Sequence, residues 1–269
     1  MTENGLYLYC LARADSLPVL EGVGLDNQNP LAQQRFQDIS AILSEVSFEE
    51  FSGPSAEAKM KDLSWVAPRA IRHEEVIEQV MRFSPVLPVR FGTIFSSPQT
   101  LEVPLQKHHD LICKFLEEIT DKEEWVLRAL LDREKAKDKL LSSILTEKAA
   151  ELAELSPGMR YLREQRIRTE IEKDLNRRLK AVSSKIAKEL QESVTAFRER
   201  RLLSREITGN TCDMAFNWAL LISRDALPDF KARIEQANTD YSKQGLLLEL
   251  TGPWPPYSFA PSLEPEAER

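Results

Sequence analysis

From Ile171 to Phe197 an apolar residue recurs at every third or fourth position: Ile171, Leu175, Leu179, Val182, Ile186, Leu190, Val194 and Phe197. Charged and polar residues fill the positions between them. This spacing gathers the apolar side chains into one narrow stripe on an α-helix. A stripe so narrow buries itself against a single neighbour. The preceding segment, Asp132–Leu155, reads as a charged helix, and Ser156-Pro157 between the two is a cap followed by a first-turn proline. The second helix is predicted to run from Pro157 to about Leu203, so that residues 132–203 form an antiparallel helical hairpin projecting from a compact domain.

The flanking segments set the fold class. Glu124–Leu131, Arg205–Cys212, Ala215–Arg224 and Gly245–Thr251 read as strands, and Ala226–Asn238 as a helix. The order is βαββαβ, that of a ferredoxin-like sandwich with an enlarged first helical connection. Before it, Leu6–Ala12 and Asp38–Val46 read as strands and Leu63–Phe83 as a helix. Val86–Ser97 reads as a strand in which Pro88 marks an edge or a bulge. Ser97-Pro98 starts a further helix reaching about Thr120. The expectation is an α+β chain of two domains: a small N-terminal α+β domain over 1–121, and a ferredoxin-like domain over 122–269 that ends in a proline-rich, aromatic tail, 252–269.

The chemistry-bearing residues are sparse. His73-Glu74-Glu75 lacks the second histidine of a zinc HExxH motif, since position 77 is Ile. His109 and Cys113 share a helix face with His108 to one side, but two aligned ligands do not close a tetrahedral site. GxSxG, GxxxxGK[ST] and GxGxxG do not occur. No catalytic, cofactor-binding or metal residue is therefore assigned. Cys10, Cys113 and Cys212 read as free thiols in a reducing compartment. The N-terminus has no basic leader, no run approaches the roughly 20 apolar residues of a membrane span, and a cytoplasmic location with no membrane partner is expected.

Two surfaces remain as candidates for partner contact. Arg160–Lys180 carries eight basic side chains against four acidic ones, with Arg163 and Arg166 near its start. The interleaved acid, the single aromatic Tyr161 and the chain's net charge of −7 argue against nucleic acid and leave a solvated or protein-contacting face. In the tail, Gly252-Pro253-Trp254-Pro255-Pro256-Tyr257-Ser258-Phe259, the prolines hold Trp254, Tyr257 and Phe259 extended. These three either lock the last strand of their own domain or anchor a partner.

The segments Leu87-Pro88-Val89-Arg90-Phe91-Gly92-Thr93-Ile94-Phe95 and Leu250-Thr251-Gly252-Pro253-Trp254-Pro255-Pro256-Tyr257-Ser258-Phe259 resemble the gas vesicle protein family GvpF/GvpL. Gly158-Met159-Arg160-Tyr161-Leu162, Asn217-Trp218-Ala219-Leu220-Leu221-Ile222 and the first strand resemble further family segments, in order along nearly the whole chain. Length and acidic composition suit GvpF. The resemblance implies a minor structural or accessory protein of gas vesicles, lying at the vesicle within the cytoplasm. It implies contact with the small hydrophobic shell protein and other accessory proteins, and no enzymatic activity. The alternative is a small-molecule-binding or regulatory ferredoxin-like module.

Overall fold

The computed structural model describes residues 4–51, 53–205, 209 and 211–263. The chain is mixed α+β with two sheets, and its contacts gather into two compact units: Met1–Glu123 with Trp254–Arg269, and Glu124–Pro253.

In the first unit, β1 (Asn4–Arg13) is central. Antiparallel to it on one side runs β3 (Ile39–Ser47), which pairs in turn with β2 (Leu31–Phe36) across the tight Gln37-Asp38 turn. On the other side β1 pairs with β4 (Val86–Pro88) and then β5 (Ile94–Phe95). The register slips between Leu8 and Cys10. This bulge turns the consecutive Tyr9 and Cys10 into the same core, and alternation resumes beyond it. The helix α3 (Leu63–Met81) covers that face with Val76, Ile77 and Val80, its start capped by Asp62, whose side chain accepts from the Ser64 amide. Two short helices, α1 (Phe48–Phe51) and α2 (Gly53–Lys59), precede it. α4 (Pro98–Lys107) and α5 (His109–Glu118) follow β5 and bury Leu101, Leu105, Ile112 and Phe115.

Three expectations change here. The predicted strand Val86–Ser97 is two short strands, because residues 89–93 leave the ladder in a turn. β2 lies where no element was predicted. The predicted helix to Thr120 breaks at His108, whose amide still bonds the Pro104 carbonyl but whose φ of −111° and ψ of 14° leave the helical range. Ser97 caps α4 as expected, in a reciprocal box with Thr100.

The second unit opens with β6 (Lys122–Leu131) and continues through α6 (Arg133–Glu147), α7 (Ala149–Ala153) and α8 (Pro157–Gln191). β7 (Ala196–Glu199), β8 (Asp213–Ser223), α9 (Leu227–Tyr241) and β9 (Leu246–Trp254) complete it. The sheet order is β7-β8-β6-β9, with β7 antiparallel to β8. Trp125, Leu127, Ala129 and Leu131 of β6 and Phe216, Trp218, Leu220 and Ile222 of β8 alternate toward the helices. The stripe residues Leu175, Ile186 and Leu190 are buried among them.

The long helix stops at Gln191, not near Leu203. Val194 and Phe197 continue the spacing of the stripe, yet Thr195 already donates its amide to Leu221 and Phe197 packs on Trp218 from a strand. A helical period and a strand deliver Phe197 to the same core, so the spacing could not separate them. The partner of β8 is therefore Ala196–Glu199 rather than the predicted strand Arg205–Cys212, of which residues 206–208 and 210 lie outside the described residues. The tail segment after Pro253, expected to finish the second domain, belongs by its contacts to the first unit.

β9 is an edge strand, and α9 shields part of it. The Asn238 side chain donates to the Leu248 carbonyl at 2.9 Å and accepts from the Leu248 amide at 2.7 Å, as a neighbouring strand would. Replacing Asn238 with Ala leaves both backbone groups of Leu248 without their partner and should cost about 2 kcal/mol. Asn238→Asp, which keeps only the acceptor, should fall between the two. Denaturant midpoints measured at constant m check the order.

Candidate functional site

The most distinctive sequence segments of the chain converge on one side chain of the first unit. His73, on the inner face of α3, is 1 % exposed. Its Nδ1 lies 2.9 Å from the Tyr7 hydroxyl of β1, and its Nε2 lies 3.2 Å from the Val89 carbonyl and 3.1 Å from the Tyr257 hydroxyl. The Val89 carbonyl can only accept, so Nε2 carries the proton and Nδ1 accepts from Tyr7. Tyr7 oxygen in turn accepts from the Gly92 amide at 3.1 Å, and Tyr257 donates to Glu74 at 2.9 Å. Every link has one donor and one acceptor. Tyr9 stacks on the imidazole, while Tyr7 and Phe91 meet it edge-on.

This geometry accounts for much of the segment Leu87–Thr93. Leu87 is core and Pro88 ends an edge strand. Val89 gives its carbonyl to His73, and Phe91 packs against the ring. Gly92 has φ +88°, a left-handed conformation that favours glycine, and supplies its amide to Tyr7. Thr93 closes the turn onto the Arg90 carbonyl through both its amide and its hydroxyl.

The tail follows the same logic. Pro255 and Pro256 are buried, and the Phe259 and Ala260 amides turn back onto the Pro256 carbonyl. That turn carries Tyr257 to Glu74 and His73. Beyond it, Ala260–Leu263 border a cleft of about 360 Å³ whose other walls include Leu8, Leu87, Leu101 and Leu105. Of the predicted contact residues, Tyr257 spends its hydroxyl inside its own unit while 36 % of the residue stays exposed, Phe259 is half-buried, and Trp254 is 41 % exposed.

Charge is held out of this cluster. Burial pushes the His73 imidazole down to about 4, opposed by the hydrogen bond to Val89. Burial likewise raises Tyr7 and Tyr257 well above the usual phenol range, and pushes Tyr9 up to about 12. Glu74 is raised by burial, against the opposing hydrogen bond from Tyr257.

The other predicted residues lie on α8. Arg163 faces Glu151 at 3.5 Å, and Arg166 pairs with Glu170 at 3.1 Å. Both have ordinary helix-surface partners, and Arg160 caps the end of α7 through the Leu152 carbonyl. What the charge pattern concealed is apolar. Met159, Tyr161 and Leu162 are 55, 62 and 63 % exposed. The first buried side chain of α8 is Ile167. A 35-residue helix extends about 52 Å, whereas the ten residues of β6 span about 33 Å, so α8 is longer than the sheet it covers. Its first turns carry apolar side chains outside the core. The signal was present in the Gly158–Leu162 segment, which begins before the stripe.

His109 and Cys113 approach to 3.7 Å on α5, as their spacing predicted, with His108 at the helix break. Among the described residues no three potential ligands gather as a metal site, and no helix is long and apolar enough to cross a membrane. None of Cys10, Cys113 and Cys212 is in a disulfide.

The family model described as gas vesicle synthesis protein GvpL/GvpF matches residues 5–261. The chain is 26 % identical to gas vesicle protein L of a Streptomyces species over 260 residues, 96 % of this chain and 94 % of the relative. It is 23 % identical to gas vesicle protein L1 of Halobacterium salinarum, over 97 % of this chain and 92 % of that one. Its fold matches the crystal structure of GvpF from an Anabaena species with a TM-score of 0.70 at 21 % identity, covering 96 % of this chain and 99 % of that one. The GvpF structure from Microcystis aeruginosa matches at 0.67 and 20 % identity with the same coverage.

A neutral buried histidine makes stability depend on pH. The unfolded chain protonates His73 near 6.5 and the folded chain only near 4. The contribution is therefore fully present above about pH 6.5 and is lost as pH falls toward 4, by on the order of 3 kcal/mol. Thermal melts across this range should show that slope in the wild type, and His73→Gln should lack it. Tyr257→Phe removes one donor and one acceptor from the cluster and should cost about 1 kcal/mol by denaturation at neutral pH.

Proposed function

The chain belongs to the gas vesicle synthesis protein GvpL/GvpF family, and from that membership we propose that it is a non-catalytic accessory protein that contacts the hydrophobic shell subunit during vesicle formation. It acts at the vesicle, within the cytoplasm, together with other accessory proteins. The observation that carries this reading is the exposed apolar pair Met159 and Leu162, one turn apart near the start of α8, with Tyr161 exposed on another side of the helix. A shell subunit exposes apolar surface before it assembles, and a matching patch on a folded partner can cover that surface. Arg160, Arg163 and Arg166 flank the patch and supply a polar rim around its apolar centre. Trp254 offers a second, smaller contact.

The two compact units are two domains in this reading, and the second is a ferredoxin-like sandwich. Its chain order of strand, helices, strand, strand, helix, strand and its sheet order β7-β8-β6-β9 support that description. Tyr257 and Phe259 serve the fold, and the partner surface lies on α8.

Binding of purified chain to a soluble fusion of the shell subunit tests this. Met159→Ser with Leu162→Ser should weaken binding roughly tenfold or more, about 1.4 kcal/mol, with an unchanged thermal transition. Trp254→Ala should have a smaller effect. Wild-type affinity in the double variant would remove α8 from the interface, and no binding by the wild type would remove the function.

A further inference from the structure

The end of the chain lies along an apolar cleft of the first unit. Leu8 and Leu11 of β1, Leu87 of β4, and Leu101 and Leu105 of α4 wall this cleft, each at most 3 % exposed. Two parts of the tail meet it differently. Tyr257 is fixed: its hydroxyl bonds Glu74 and His73, and the Phe259 and Ala260 amides close the turn on the Pro256 carbonyl. Beyond that turn, Ala260, Pro261 and Leu263 are half-buried at the rim and Ser262 is exposed. Pro261, Ser262 and Leu263 make no hydrogen bond among the described residues. They border a cleft of about 360 Å³ rather than closing on its walls. A segment that belongs to a core leaves few gaps much larger than a water molecule.

We propose that residues 260–263 are a displaceable strap: the chain's own end occupies the mouth of this cleft, and lifting it beyond the Tyr257 anchor exposes a leucine-lined binding surface that the resting chain withholds. The anchor keeps the strap at high local concentration, so a segment held only by apolar contact still competes against a free molecule. The turn at Phe259 and Ala260 separates strap from anchor, so the strap can lift while Tyr257 stays bound to Glu74 and His73. A cleft that is closed most of the time binds an apolar probe more weakly, in proportion to the fraction of time it is open. The strap is independent of α8 and of the gas vesicle reading.

Binding of the uncharged dye N-phenyl-1-naphthylamine to the full chain and to two variants, followed by fluorescence, tests this. Leu263→Asp and a chain ending at Phe259 should each bind the dye roughly fivefold or more tightly than the wild type, at one saturable site marked by methyl shifts of Leu8 and Leu105. A synthetic peptide of residues 260–269 at millimolar concentration should displace the dye from the shortened chain, and a scrambled peptide should not. Both variants should keep the wild-type thermal transition, whereas Leu101→Ala, which opens the core, should lower it by several degrees. Equal dye affinity in all three chains, absence of saturable binding, a peptide without effect, or a transition lowered in both variants as far as in Leu101→Ala would each overturn the strap.

Discussion

An imidazole sealed from water must have both nitrogens satisfied, and the first unit is arranged around that requirement. His73 finds an O–H donor in Tyr7 and acceptors in Val89 and Tyr257. These groups come from β1, from the turn after β4 and from the end of the chain. No local segment could supply all of them. A buried polar group left without partners costs far more than a made hydrogen bond returns. The cluster therefore acts chiefly as a specification. The Val89–Thr93 turn, the Tyr9–Cys10 bulge and the tail must all be in register before His73 can be buried. Glycine at position 92 belongs to the same constraint, since its amide completes the coordination of Tyr7.

The second unit is specified differently. Its helices are held by a dry stripe and by charge pairing around it. Leu175, Ile186 and Leu190 bury against the sheet, while Arg133 links Glu172 of α8 to Asp213 of β8. Ion pairs at such exposure contribute little energy singly, but they fix which helix faces which. Apolar burial sets the stability of this hairpin, and charge sets its register.

Much of this organisation was legible in the sequence because it rests on local periodicity. The stripe located α8, Ser97-Pro98 located the start of α4, and alternation located β6 and β8. What escaped depends on distance in the chain. Nothing near Phe197 says that its spacing belongs to a strand, since the deciding bond is Thr195 to Leu221. His73 read as an ordinary helix histidine because its partners sit 66 and 184 residues away. The tail showed its aromatic residues but not which of them is spent inside the fold. Trp254 and Tyr257 are exposed to a similar degree, 41 and 36 %, and only the third dimension shows that the Tyr257 hydroxyl is tied to Glu74.

The tie at the Tyr257 hydroxyl limits how freely that side chain can move. Displacing Tyr257 would take one donor from Glu74 and one of two acceptors from His73 Nε2, the Val89 carbonyl remaining. The first turns of α8 carry no such obligation. Between Pro157 and Arg166 no side chain is buried. Substitutions there cost the core nothing, and a folded chain under no other demand would fill those positions with charge, as it does over most of the helix. Instead Met159, Tyr161 and Leu162 stand in water. Apolar side chains at such a place weaken solubility and return nothing to the fold.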